Sequence, residues 1–202
     1  LCDYQEQPLR TEVLSREEAI HRIRLTPLIQ AATRLHRRDV LEGIVFPVGK
    51  NYEDAFTTPE IIEHATAVAC IKEKLYHYRL HPASIMHGKV TLKNLDEIEA
   101  NYRMLQCTMK YGQKDAAYLQ YAVMKGYFKK IMKNLPPEDR NDPKVQQTID
   151  LIHKAETEVR QAGADTLRNK LEAAVWFRNK TVYYHLKGWA LSLIHISEPT
   201  RH

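Results

Sequence analysis

The chain has 202 residues, of which 44% are hydrophobic and 27% are charged, and its formal net charge is +5. This mixture excludes an intrinsically disordered or fibrous protein, and only seven glycines argue against a β-rich fold. Three cysteines are too few for a disulfide framework, which predicts a reducing compartment, and the positive charge is too dispersed for a dedicated nucleic-acid-binding protein.

Capping residues mark the helix starts in the first part of the chain. Ser15 and Glu18 have the spacing of a capping box, in which each side chain bonds the backbone amide of the other residue. Thr26 and Thr58 each precede a proline, which suits the first helical position because proline lacks the amide hydrogen left unpaired there. These signals predict helices over residues 16–25, 27–42 and 59–80.

Two stretches beside these helices carry helix-breaking residues. Residues 43–57 contain Gly43 and Gly49 and predict an irregular insertion whose apolar side chains pack over the helices. Residues 81–93 contain Pro82 and Gly88 and predict a linker.

Three histidines near this linker pose the question of a metal site. His77 and His81 are one helical turn apart, and His87 follows closely. Histidine is one of the side chains that bind zinc in proteins. Pro82, however, ends the helix beside the second histidine, and no further ligand motif accompanies them. The sequence therefore favours surface histidines over a zinc site and predicts no metal and no cofactor.

The second half of the chain shows a regular alternation of helix starts and stops. Asn94 with Glu97 resembles another capping box, and Asp142 precedes a proline. Gly112 and Gly163 follow apolar-periodic runs, where a left-handed residue ends a helix. The predicted helices span residues 95–111, 114–133, 143–162 and 165–187.

The links through the two glycines are short enough to predict antiparallel helical hairpins. The predicted fold class is therefore all-α, an irregular stack of antiparallel helical hairpins with about seven helices. We expect residues 1–190 to form a single helical domain.

The two ends of the chain carry signals of a different kind. Leu191 to Arg201 resembles the translation of a transposase-type sequencing-library adapter, so we expect residues 191–202 to be a non-native tail. The chain begins at Leu1 rather than methionine, which fits either a removed mitochondrial presequence or a fragment.

The positive functional signal is the number of aromatic residues, because tyrosine and tryptophan are enriched at protein interfaces. Helix 114–133 carries apolar residues around most of its circumference, so it is either the central helix or is wedged against another subunit. The predicted partner interface consists of Tyr118, Tyr121, Tyr127, Phe128, Trp176, Phe177, Tyr183 and Tyr184.

No nucleophile, paired carboxylate or phosphate-binding motif stands in a catalytic setting, so the sequence does not predict an enzyme. No apolar run approaches the ~20 residues of a membrane span, but residues 173–177 and 182–184 predict peripheral contact with a membrane complex. The predicted function is an accessory or assembly subunit of a larger complex, with a mitochondrial respiratory or ATP synthase complex as the leading hypothesis. Its partners would be other protein subunits.

Basic residues support the alternative, an RNA-contacting helical subunit of the mitochondrial ribosome. Lys125, Lys129, Lys130 and Lys133 lie near the end of one predicted helix, where they also complement the helix dipole. Because the helix starts keep no constant period, no RNA-reading repeat is predicted, and nucleic acid is the less favoured partner.

Overall fold

The computed structural model describes residues 11–24, 26–71, 73, 75–76 and 88–187, and it is mostly helical with a small two-stranded sheet. This confirms a predominantly helical fold. The strands are β1 (Thr11–Ser15) and β2 (Ala67–Ile71). The helices are α1 (Arg16–His21), α2 (Thr26–Ile29), α3 (Glu53–His64), α4 (Asp96–Lys110), α5 (Lys114–Asn134), α6 (Pro143–Gln161), α7 (Leu167–Arg178) and α8 (Lys180–Leu186).

The two strands pair antiparallel, with Thr11 opposite Ile71 and Ser15 opposite Ala67. The predicted helix over residues 59–80 is therefore wrong beyond α3, because part of that stretch is β2. Alternate residues of β2 face the core, and Cys70 is buried there. Such a short strand forms only because a partner from a distant part of the chain satisfies its backbone.

Helix α3 starts six residues before the predicted start at Pro59, which lies inside the helix. Proline cannot donate the backbone hydrogen bond of a helix interior. The hydroxyl of Thr58, next to the proline, donates a 2.6 Å hydrogen bond to the carbonyl of Asp54 in the preceding turn. Burial of Ala55 and Phe56 in the core explains why the helix begins before the proline.

The predicted helix over residues 27–42 is also wrong. Only the single turn α2 is α-helical, and short 3-10 turns follow at Ala31–Thr33 and Arg38–Leu41. The guanidinium of Arg34 donates 3.0 Å bonds to the carbonyl of Leu28 and the hydroxyl of Thr58 on α3. This segment buries no continuous apolar face, so nothing stabilises a longer helix.

Helices α4, α5 and α6 confirm the sequence prediction to within one or two residues. Gly112 and Gly163 adopt the predicted left-handed conformation, with φ of 68° and 64°. Asp142 caps α6 by accepting from the amide of Lys144 at 2.8 Å. The predicted capping box at Asn94 is wrong, because its side chain instead bonds the amide of Thr91 at 2.8 Å.

The last predicted helix is divided into α7 and α8. Asn179 is extended, with φ of −156°, and its side chain accepts from the amide of Val182 at 3.1 Å. An asparagine that caps a following helix in this way competes with helix continuation. The chain can therefore turn between α7 and α8 while Trp176 and Tyr183 both reach the core.

The core consists of two clusters that share α4 and α5. One joins these helices to the sheet, α1, α3, α7 and α8, and the other joins them to α6. Helix α5 contacts α4, α6 and α7, so it is the central helix that its apolar circumference predicted as one of two alternatives.

Candidate partner-binding surfaces

Most of the predicted interface side chains pack inside the molecule. Tyr121, Trp176 and Tyr183 are buried, so in this structure they are occupied by the protein's own core. Tyr118, Tyr127 and Phe128 are partly buried and pack against the core clusters.

Of the other two predicted interface residues, only one can be placed in detail. Phe177 is 48% exposed, the largest exposed fraction among the predicted interface residues whose side chains are described. Tyr184 belongs to α8, but its side chain lies outside the described part of the structure.

The aromatic residues of α5 and α7 are linked through an arginine in the turn after α1. The guanidinium of Arg24 lies 5.7 Å from the ring centre of Tyr127 and 5.8 Å from that of Trp176. It also donates a 2.7 Å hydrogen bond to the side-chain oxygen of Asn101 on α4. This arrangement stabilises the packing of α7 on the central helices, which explains the aromatic residues without an external partner.

Tyr118 and Tyr121 line a small cleft of about 210 Å³ between α5, α6 and the start of α7. Their rings meet edge to face at 5.9 Å. Burial, followed by the nearby Glu156, raises the pKa of Tyr121 to about 12. Because Asp165 pairs with Lys170 at 2.9 Å and with Arg160 at 3.8 Å, the charges of the cleft already have partners within the protein.

The first exposed apolar surface comes from the irregular segment before α3. We define the loop surface as Leu35, Val45, Phe46 and Val48. Leu35 and Val48 are 100% and 98% exposed, respectively. Large apolar side chains that are exposed together make this segment a candidate binding surface.

A buried carboxylate anchors the end of this segment. Asp96, in the first turn of α4, is almost completely buried and accepts from the backbone amide of Asn51 at 3.0 Å and from Lys144 of α6 at 2.7 Å. Lys50 lies 3.5 Å from the same carboxylate. Burial alone would raise the pKa of Asp96, but these hydrogen bonds and charges outweigh it and hold the pKa below its usual value.

The second exposed apolar surface lies on the last two helices. We define the C-terminal surface as Leu167, Leu171, Phe177, Val182 and Leu186, all of which are exposed. Of these residues, only Phe177 was predicted from the sequence to lie at an interface. The helical spacing of Leu167 and Leu171 was a usable signal, but it does not show which face of α7 points outward.

Another carboxylate anchors this surface. Asp115, in the first turn of α5, accepts from His21 of α1 at 2.9 Å and from Lys187 at 2.7 Å. Lys187 follows α8 and also pairs with Glu172 of α7 at 2.6 Å. The end of α8 is therefore attached to α7 and to the body of the protein by ion pairs with limited exposure to water.

Neither a metal site nor a membrane span is found among the described residues. Within the described residues, no group of histidine, cysteine and acidic side chains is arranged to hold a metal ion, and His77, His81 and His87 lie outside them. No helix in the described ranges combines the length and apolarity required to cross a bilayer.

The described thiols are buried. Burial, with a contribution from Glu63, raises the pKa of Cys107 to about 12, and burial also raises the pKa of Cys70. Both thiols are thus held in the protonated, less nucleophilic form.

Comparison with known proteins adds no relative: no protein-family model, no curated protein and no solved structure matches this chain.

Proposed function

We propose that this chain is a non-catalytic accessory or assembly subunit of a larger complex. The observation that carries the proposal is the loop surface, whose aliphatic side chains are exposed on an anchored base. A protein without a partner gains nothing from holding such side chains in water, whereas a partner that covers them gains hydrophobic free energy.

The charge of the same segment favours a protein as the partner. Residues 35–48 contain two arginines, one aspartate and one glutamate, so their formal charge is zero. Arg37 is already paired with Asp39 at 2.7 Å. An apolar, charge-balanced surface complements the apolar centre of a typical protein interface rather than a polyanion.

Anchoring of the loop surface favours binding, because a preordered surface loses less conformational entropy when it binds. Asp96 attaches the end of the segment to α4 and α6, and Arg34 attaches its start to α3. We therefore assign the loop surface to docking on another subunit. We propose that the helices around α5 pack as hairpins and form a rigid support for this surface.

For the identity of the complex we propose a mitochondrial energy-converting assembly, a respiratory or ATP synthase complex. The net charge of +5 suits a protein of that compartment. The apolar residues of α7 and α8 support peripheral contact with the inner membrane.

A row of lysines favours the alternative, an RNA-contacting subunit of the mitochondrial ribosome. Lys125, Lys129 and Lys133 are exposed and recur at intervals of four on α5, so they share one face of the helix. Such a row would follow a phosphate backbone through charge alone.

The test is to express the tagged full chain in its source cells and fractionate mitochondria in mild detergent. The proteins that migrate with the chain are then identified by mass spectrometry. We compare it with a Leu35→Asp/Val48→Asp variant, which places charge in the loop surface, and with a Val13→Asp control. Val13 is also exposed, but it lies on β1 outside the loop surface.

We expect the chain and the control to migrate with an identified respiratory or ATP-synthesising complex, and the loop variant to be released from it. Co-sedimentation with ribosomal RNA that is lost after ribonuclease treatment would replace this proposal with the alternative. Recovery as a free monomer outside mitochondria would contradict both.

A further inference from the structure

The C-terminal surface departs from the pattern of an ordinary surface helix, whose outward face is polar. On α7, Leu167, Leu171 and Ala174 share the outward stripe, because their spacing of four and three residues returns to one face. The inward stripe contains the buried residues Asn169, Ala173 and Trp176. Both faces are therefore mainly apolar, although only the inward face contacts the core.

Helix α8 extends this pattern. Val182 and Leu186 are exposed and one turn apart, whereas Tyr183 is buried in the core. Leu186 is as exposed as Leu167, at 73%. The apolar side chains thus continue from α7 to the end of α8.

The charge of this region distinguishes it from the loop surface. Residues 167–187 contain five lysines and arginines but a single acidic residue, Glu172. Ion pairs already involve three of these cations: Arg168 with Glu172, Lys170 with Asp165, and Lys187 with Asp115 and Glu172. Arg178 and Lys180 are exposed next to the apolar side chains, between α7 and α8.

We propose that the C-terminal surface binds an anionic lipid membrane. In this arrangement its leucines, Phe177 and Val182 enter the boundary between headgroups and acyl chains, while the surrounding cations contact lipid phosphates. A helix that combines exposed apolar residues with lysine and arginine is typical of interfacial membrane binding. The exposed cations Arg178 and Lys180 complement an anionic bilayer, whereas the charge-balanced loop surface does not.

The contacts that hold α7 and α8 on the core suit this role. Trp176 fixes α7 to the core, and the ammonium of Lys180 lies 4.7 Å from the centre of its ring. Lys187 fixes the end of α8 through Asp115 and Glu172. The outward side chains can therefore enter a bilayer without unfolding the helices that carry them.

This inference deepens the proposed function, on which it rests for the presence of a membrane beside the protein. It names lipid as the ligand in the peripheral membrane contact and the C-terminal surface as the residues that bind it. The subunit proposal depends instead on the loop surface.

The test uses the purified full chain and flotation with two kinds of vesicle. One contains phosphatidylcholine mixed with phosphatidylglycerol, and the other contains phosphatidylcholine alone. A Leu167→Ser/Leu171→Ser variant removes apolar side chains, Arg178→Gln removes one cation, and Leu35→Ser/Val48→Ser is the matched control on the loop surface. Circular dichroism verifies that each variant is folded.

We expect binding to the anionic vesicles, weakened by added salt and much lower on phosphatidylcholine alone. The double leucine variant should bind at least about tenfold more weakly, because each leucine loses its apolar burial. Arg178→Gln should weaken binding by about fivefold, the effect of one basic residue at an anionic surface. The loop control should bind like the unmodified chain.

Absence of vesicle binding, or equal binding by the leucine variant, would overturn the lipid assignment and leave the subunit proposal standing. The lipid assignment is also overturned, and the subunit proposal stands, if vesicle binding is absent and the double leucine variant is released from an identified protein complex. In that case the C-terminal surface contacts protein. Conversely, vesicle binding with no migration in a complex would contradict the subunit proposal alone.

Discussion

The two exposed apolar surfaces of this protein differ in charge and in backbone. The loop surface is irregular and carries no net charge, whereas the C-terminal surface is helical and strongly basic. A patch of exposed apolar side chains marks a candidate binding surface, but it does not indicate what binds there. The surrounding charges are the basis on which we propose a protein partner for the first surface and an anionic membrane for the second.

The surfaces share a method of attachment. In each case a carboxylate in the first turn of a central helix, Asp96 on α4 or Asp115 on α5, binds a lysine from the segment that carries the surface. The N-terminal position favours the ionised carboxylate through the helix dipole. Disrupting one carboxylate should therefore loosen one surface and leave the other in place.

The largest expected effect concerns the apolar anchor of the C-terminal surface. Trp176→Ala should reduce the free energy of unfolding by about 4 kcal/mol, because it leaves a large cavity under α7. Urea denaturation followed by circular dichroism measures this loss. Trp176→Phe is the control: it keeps a ring and removes an indole N–H that has no hydrogen-bond acceptor among the described residues. We expect it to cost less than half as much, and equal losses would show that the ring volume is not the anchor.

Removing the loop anchor should have the next largest effect. Asp96→Ala should lower the free energy of unfolding by about 3 kcal/mol, because the almost buried carboxylate holds Lys144, Lys50 and the amide of Asn51. Limited proteolysis should accelerate within residues 35–50 and not within α7 and α8. Asp150→Ala, on the exposed face of α6, is the control and should change stability little. Equal proteolysis of both surfaces would show that Asp96 supports the whole fold instead.

Removing the second anchor should have a smaller effect, and this effect should appear at the C-terminal surface and not at the loop surface. Asp115→Ala should cost on the order of 2 kcal/mol, since Asp115 is only partly buried but binds both His21 and Lys187. Hydrogen exchange should accelerate at α8 and leave residues 35–50 unchanged. Asp139→Ala, in the 3-10 turn after α5, is the control. Protection of α8 equal to that of the unmodified chain would exclude Asp115 as its anchor.

Acid should weaken both anchors together. Burial opposes ionisation of Asp96 and Asp115, but hydrogen bonds from lysine, and for Asp115 also from His21, hold both pKa values below the usual 3.8 of aspartate. Their contribution to stability is therefore complete above about pH 4 and is lost as the pH falls through the lower values of the folded state. Thermal unfolding between pH 6 and pH 2 measures this loss, and Asp115→Ala should show a shallower decrease below pH 4. An equally steep decrease in the variant would contradict the assignment.

The smallest expected effect tests the packing of Phe177. A Cβ atom at Gly126 of α5 would lie only 2.9 Å from the Phe177 ring, so Gly126→Ala must displace it. Alanine stabilises a helix interior by about 1 kcal/mol relative to glycine, which offsets the displacement of a half-exposed ring. We expect a change within about 0.5 kcal/mol in urea denaturation, with tighter vesicle binding because Phe177 moves outward. Gly126→Ala combined with Phe177→Ala removes the clash and should restore the helix stabilisation.

Local signals were sufficient for the central helices. The caps at Gly112, Asp142 and Gly163 act within a few residues of the helix ends that they determine. The same kind of signal failed at Thr58 and Pro59, where burial of the preceding residues extended the helix across the proline. A cap contributes about 1 kcal/mol, which is less than the burial of one large apolar side chain such as Phe56.

The candidate surfaces were harder to predict than the helices. Aromatic content identified α5 and α7 as important, but most of these side chains pack inside the protein. The apolar side chains of residues 43–57 were predicted to pack over the helices, and this is wrong for Val45 and Val48, which are exposed. The exposure of Leu35 was not predicted either, because exposure is a property of what surrounds a residue and not of the residue itself. Asn179 was a local signal for the division of α7 from α8, since an asparagine before a short helix is a preferred cap.

The sequence by itself determined the mostly helical character of the protein, the bounds of α4 to α6 and the basic charge of residues 167–187. These properties depend on short-range backbone preferences and on composition. Only the tertiary structure decided that β1 pairs with β2, that Asp96 and Asp115 bind lysines from distant segments, and which face of α7 points outward. Those features depend on contacts between residues far apart in the chain, and a local pattern is compatible with several such pairings until the core selects one.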